Sequence, residues 1–255
     1  MSAAAGTLSG PIPRHRLLTA FAWGVHLYTA LGAAVGLLAI YYASGGDFRA
    51  SFLAMAAATL IDSSDGPLAR WMKVKQRIPS FDGTLLDNIV DYLTYTVAPV
   101  FLMIEAAIIP STHLGLLLAC FVMLASVYGF CQTNAKTPDH YFLGFPNYWN
   151  LVAFYLFCLD GSAIFNWAVL ALLAVMVFIP IRYIYPNRTI PLRPVTLTLG
   201  IIWAVVTLVM LFELPVVNPI LLAVSLSFIA YYLVASFVLH ALALRVRPAV
   251  VPVVE

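Results

Sequence analysis

The stretch LLTAFAWGVHLYTALGAAVGLLAIYYA, residues Leu17 to Ala43, contains no Asp, Glu, Lys or Arg. About 20 helical residues cross the hydrocarbon of a bilayer, and this stretch exceeds that length. Arg14 and Arg16 precede it, as in a secretory leader. It is nevertheless about twice as long as a leader's apolar region and lacks a convincing cleavage site. It reads as a first membrane span, preceded by a cytoplasmic tail over residues 1–16. The rest of the chain agrees. Of 255 residues, 63 % are apolar and 9 % charged, with a mean hydropathy of +0.96. Soluble domains carry about 45–50 % apolar and about 25 % charged residues. A water-soluble globule of this size cannot hide so much apolar surface. The composition excludes a disordered chain and a disulfide scaffold. A net charge of +2 without a long basic run excludes a nucleic-acid partner. Cys120, Cys131 and Cys158 sit in apolar runs without metal-ligand spacing and read as reduced packing residues.

Working outward, the hydropathy predicts an all-α, polytopic helical bundle with about eight transmembrane helices. They cover residues 20–43, 48–72, 83–108, 113–134, 145–159, 162–181, 195–213 and 217–243. The fifth is short. Cytoplasmic loops are enriched in Lys and Arg. With both termini cytoplasmic, twelve of the 13 basic residues fall on the inside, all but Arg49. Merging the fifth and sixth spans would expel Arg182, Arg188 and Arg193, so Asp160-Gly161-Ser162 reads as an external turn. Residues 17–255 read as a single transmembrane domain with no visible internal repeat.

Five of the 11 acidic residues lie between positions 62 and 91. Asp62 and Asp65 are three apart near the end of one span. Asp87 and Asp91 are four apart near the start of the next. On helices, each pair shares a face, and a short cytosolic connection brings the four carboxylates together. A buried Asp costs roughly 2.5–3.5 kcal/mol at mid-membrane and less near the interface, and like charges repel. Arg70 alone does not neutralise four. Divalent cations do, and oxygen ligands without His or Cys favour Mg²⁺ or Mn²⁺. Few protein ligands leave room for substrate phosphates, which describes a two-metal site for phosphoryl chemistry. A cation or proton pathway in a transporter would also use four carboxylates facing one cavity, and spacing alone leaves that alternative open.

The segment Asp62, Asp65, Gly66, Ala69, Arg70, then Gly83, Asp87 and Asp91, resembles the D-x-x-D-G-x-x-A-R … G-x-x-x-D-x-x-x-D signature of the CDP-alcohol phosphotransferase family of membrane enzymes. All fixed positions match, within residues 62–91. The spacer Trp71–Asp82 is longer than usual and resembles the bacterial branch that makes phosphatidylcholine. The count of eight spans points the same way, since the family core has six. The resemblance implies that Asp62, Asp65 and Asp87 ligate metal. It implies that Asp91 is the general base and also touches metal. Gly66, Ala69, Arg70 and Gly83 then line the CDP site, with Arg70 at a phosphate. The implied reaction joins CDP-diacylglycerol and choline into phosphatidylcholine and CMP, at the cytoplasmic side of a bacterial inner membrane. Serine, inositol or glycerol 3-phosphate remain alternative acceptors, because Arg182, Arg188 and Arg193 could recognise an anionic substrate.

Choline offers no N–H donor, and quaternary ammonium groups are recognised by aromatic faces. Tyr95 lies four residues after Asp91, while Tyr148 and Trp149 lie at the start of the fifth span. These three are predicted to form the choline pocket. The segment Pro138–Asn150 reads either as an interfacial aromatic belt or as part of that pocket. His26 and Thr29 share a face of the first span, where a packing role is expected. Gly32 and Gly36 form a G-x-x-x-G pair that permits close helix approach, within one chain or between two. The family is commonly homodimeric, so the resemblance implies a dimer.

Overall fold

Helices form at every place where the hydropathy predicts one. The computed structural model describes residues 14–186 and 188–245. The predicted tail therefore lies almost wholly outside the described residues. Helix α1 is Arg14–Ser44 and α2 is Phe48–Trp71. The chain reverses between them at Gly46, whose φ of +76° suits glycine. Asp47 caps α2 by accepting from the Ala50 amide at 2.9 Å. α2 runs unbroken through Pro67. A short helix, α3 (Val74–Arg77), leads to α4 (Gly83–Tyr92). The fifth acidic residue of the 62–91 segment is the cap here: Asp82 accepts from the Thr84 and Leu85 amides, both at 3.0 Å. A wide π-helical turn over Leu93–Val97 then joins α4 to α5 (Ala98–Glu105).

The second half holds α6 (His113–Cys131), α7 (Trp149–Leu159), α8 (Ala163–Met176), α9 (Arg193–Glu213) and α10 (Pro219–Arg245). Four of the described helices, namely α1, α6, α9 and α10, are long and apolar enough to cross a membrane. α2 carries the charges of the acidic segment, and the rod over 83–105 is interrupted by the wide turn. α7 and α8, with 11 and 14 residues, are shorter than the fifth and sixth spans read from hydropathy. Residues 145–148 and 177–181 are not helical.

Those residues flank a feature that hydropathy could not show. Strand β1 (Tyr141–Leu143) pairs antiparallel with β2 (Arg182–Ile184), Phe142 lying opposite Tyr183. Gly144 extends the link by donating its amide to the Ile181 carbonyl at 2.9 Å. Its φ is +79°, and a Cβ there would strike the Val177 carbonyl. Asp139 and Arg182 close the ribbon with a 2.7 Å ion pair. The Thr137 side chain, together with that arginine, holds the Asp139 carboxyl below its ordinary value. The ribbon places the loop before α7 beside the loop after α8. That arrangement is what a helical hairpin turning at Asp160-Gly161 requires. β2 is anchored to α10, where Ser236 accepts from the Ile184 amide at 3.1 Å and Tyr232 donates to the Ile184 carbonyl at 3.1 Å.

The main core gathers Leu102, Met103, Val122, Trp149, Ala153 and Leu170 from α5 to α8. The outer surface stays apolar: Leu37, Leu117 and Ile201 are 65 %, 64 % and 66 % exposed. Large exposed apolar surface is expected of a chain whose solvent is lipid. The G-x-x-x-G pair packs inside this chain. A Cβ on Gly32 would meet Val90 Cγ1 at 2.6 Å, and one on Gly36 would meet Leu93 at 3.0 Å. The two glycines therefore let α1 approach the helix that carries Asp87 and Asp91.

Candidate active site

α2 and α4 bring one carboxylate from the first predicted pair together with both from the second. Oxygens of Asp62, Asp87 and Asp91 lie within 4.8 Å of one another. All donors are hard oxygens, which fits a Mg²⁺- or Mn²⁺-type ion and not a thiolate- or imidazole-bound metal. Asp65 stands apart from this triplet. It is buried, faces the same cleft and lies beside Thr29 of α1. The cleft is about 1000 Å³ and open at one side, large enough for a nucleotide diphosphate head.

The four signature positions predicted for the CDP site divide into two sets. Gly66 and Arg70 line the cleft. A Cβ on Gly66 would sit 3.3 Å from Arg70 Nη1, so the glycine makes room for the guanidinium. Ala69 and Gly83 are not part of the lining. Ala69 packs against a small cluster built on Ala22, Val25, Val74 and Ile78. A Cβ on Gly83 would meet the His26 ring at 2.8 Å. Small residues there let α1 seat against α2 and α4. His26 is the packing histidine expected, its ring 4.5 Å from that of Phe81.

The predicted choline pocket is only partly assembled. Tyr148 lines the cleft. Trp149 does not: it is fully buried in the core, and its Nε1 donates to Ser126 Oγ at 2.7 Å. One residue's difference in position turned it inward, because α7 starts at Trp149. Tyr95 is also buried, and its hydroxyl donates to Asp62 Oδ2 at 2.7 Å. Its ring presents no face to the cleft.

Other groups reach the cleft instead. Lys136 and Arg188 bring positive charge to the acidic wall, and Phe142 and Tyr185 add aromatic surface. Phe142 stacks on Tyr185 at 4.4 Å between centroids and meets Tyr148 edge-on at 6.4 Å. Arg188 sits over the Tyr185 ring at 5.3 Å. The segment 138–150 thus contributes cleft wall as well as interfacial aromatics. Lys136 carried a weak signal as an isolated lysine in its loop. Phe142 was legible only as one aromatic of the 138–150 segment, because its position depends on its strand pairing with Tyr183, 41 residues away.

A helical bundle with aspartates from two helices in a nucleotide-sized cleft suits a membrane-embedded phosphotransferase. The chain belongs to the CDP-alcohol phosphatidyltransferase family, whose profile matches residues 25–180. It is an integral membrane enzyme of that class, acting on a CDP-alcohol and an alcohol, in a family that uses divalent metal ions. Its relatives narrow the class. It is 37 % identical over 223 residues to a phosphatidylcholine synthase of Legionella pneumophila, covering 85 % of this chain and 87 % of that protein. A phosphatidylcholine synthase of Borreliella burgdorferi is 36 % identical over 86 % of this chain and 94 % of its own length. One from Pseudomonas aeruginosa is 34 % identical over 83 % and 88 %. The family match sets aside the ion-pathway alternative.

Proposed function

We propose that the chain transfers the phosphatidyl group from CDP-diacylglycerol to choline, giving phosphatidylcholine and CMP. The observation that carries the proposal is the similarity to phosphatidylcholine synthases over most of both chains, joined to the convergence of Asp62, Asp87 and Asp91 in the cleft. Those three carboxylates, with Asp65 facing the same cleft, are the residues that would hold Mg²⁺ or Mn²⁺. When bound, such ions neutralise negative charge on the diphosphate and on the departing CMP.

The protein's own groups complete the reaction. Arg70, Lys136 and Arg188 line the cleft and supply charge for the diphosphate. The choline oxygen attacks the phosphorus that carries diacylglycerol. A new P–O bond forms, the bond to CMP breaks, and Asp91 takes the hydroxyl proton. Tyr148 and Phe142 offer aromatic surface to the trimethylammonium group, a contact worth about 0.5–2 kcal/mol per ring. The acyl chains stay in lipid, with the cleft at the cytoplasmic margin of a bacterial inner membrane. That orientation follows from the clustering of basic residues on one side of the predicted topology. The membrane domain spans residues 17–255.

The test is CMP release by the purified full chain in mixed micelles of CDP-diacylglycerol, with a panel of alcohols. Choline supports turnover, and a chelator stops it reversibly. Faster turnover with serine, inositol or glycerol 3-phosphate would replace choline as the acceptor.

A further inference from the structure

Beneath the cleft lies a buried polar connection that the proposed chemistry does not use. Tyr95 sits in the middle of the wide turn over Leu93–Val97, between the buried Thr94 and Thr96. Its hydroxyl donates to Asp62 Oδ2 at 2.7 Å. Thr59, three residues before Asp62 on α2, lies beside the same hydroxyl. Thr59 in turn accepts from Asn150 Nδ2 of α7 at 3.2 Å. Below this row is an apolar groove of about 270 Å³, lined by Phe52, Met55, Phe154, Trp203 and Leu211 together with Thr59 and Asn150. The row therefore forms a polar floor between the acidic cleft and an apolar space.

We propose that Tyr95 is a positioning residue: from the wide turn it holds one oxygen of Asp62 and so sets the plane in which that carboxylate meets Asp87 and Asp91. The inference rests on the reading of Asp62 as a metal ligand. A carboxylate on α2 is otherwise free to turn about its terminal torsion, which is broad and roughly two-fold. A phenol donor at 2.7 Å removes that freedom, and hydrogen bonds to charged acceptors are the strong ones. Groups that orient a metal's ligands typically govern metal affinity by about 10- to 100-fold. Burial adds to the effect, since a Tyr95 ring at 9 % exposure has no water to offer in place of the missing bond. π-helical turns occur mostly as single-turn bulges inside α-helices, frequently at functional sites. Here the turn begins two residues after Asp91 and carries the residue that reaches back to Asp62. The ring serves packing and the hydroxyl serves the carboxylate, so the two roles separate cleanly in Tyr95→Phe.

The experiment measures Mn²⁺ binding to the purified full chain in detergent, by electron paramagnetic resonance, for wild type and Tyr95→Phe. The expected result is Mn²⁺ affinity weaker by about 10-fold or more, with the choline KM unchanged. Wild-type Mn²⁺ affinity in Tyr95→Phe overturns the proposal. A raised choline KM with intact Mn²⁺ affinity also overturns it and returns Tyr95 to the alcohol pocket. If the wild type binds no Mn²⁺, the metal reading itself fails, and the inference falls with it. A second comparison uses Asp62→Ala. Once the acceptor is gone, adding Tyr95→Phe leaves the residual Mn²⁺ affinity unchanged. A further loss in that double variant shows the hydroxyl acting elsewhere and overturns the assignment.

Discussion

Gly32→Ala tests whether the spacing of α1 against α4 sets the geometry of the acidic site. The added Cβ would lie 2.6 Å from Val90 Cγ1. Carbon atoms pack at about 3.5–4.0 Å, so the contact must open by about 1 Å. Val90 cannot swing away easily. A β-branched residue in a helix has one strongly preferred rotamer, and Val90 is 7 % exposed. α4 must move, and Asp87 and Asp91 move with it. Overpacking costs about 1–3 kcal/mol. Alanine regains about 1 kcal/mol over glycine in a helix, so the net stability loss is at most about 2 kcal/mol. The catalytic loss is larger, because a displacement of about 1 Å can cost about 100-fold. Turnover should therefore fall by about 10- to 100-fold while thermal unfolding in detergent shifts only modestly. Gly32→Ala/Val90→Ala removes the colliding methyl and should restore turnover to within several-fold of Val90→Ala alone. Full activity in Gly32→Ala would refute the argument. So would a double variant as slow as Gly32→Ala.

Three further variants bear on the site itself. Asp91→Asn keeps size and removes the proton acceptor, so kcat should fall by about 10²–10⁴-fold, and CDP-diacylglycerol binding measured by equilibrium binding should persist. Tyr148→Ala should raise the choline KM about 10-fold, within the range expected for one lost aromatic face. Trp149→Phe should leave it unchanged, because Trp149 donates to Ser126 in the core. Kinetics with choline as the varied substrate separate these two neighbours.

Much of this protein was legible in its sequence, for local reasons. Helix positions follow from apolar runs, because each span must satisfy its backbone internally in lipid. The acidic site follows from charge in the wrong solvent: Asp87 and Asp91 share one helical face at a spacing of four, and the short connection through α3 brings Asp62 of α2 to them. Signature matching was less informative about individual roles. Ala69 and Gly83 occupy fixed positions of the motif, yet they serve helix contact and not the cleft wall.

What the sequence determined by itself was therefore whatever a single helix or a pair of neighbours can express: the membrane class, the helix positions and the acidic cluster. Tertiary structure alone decided where side chains point when the partner is distant in the chain. Phe142 reaches the cleft because β1 pairs with β2. Tyr95 and Trp149 stay buried behind its lining, where Asp62 and Ser126 accept their polar hydrogens. Hydropathy is blind to such choices, since an aromatic ring suits the core, the bilayer interface and a choline pocket equally. The deciding term is the hydrogen-bond partner available to its polar edge once buried, and that partner exists only after the helices have packed.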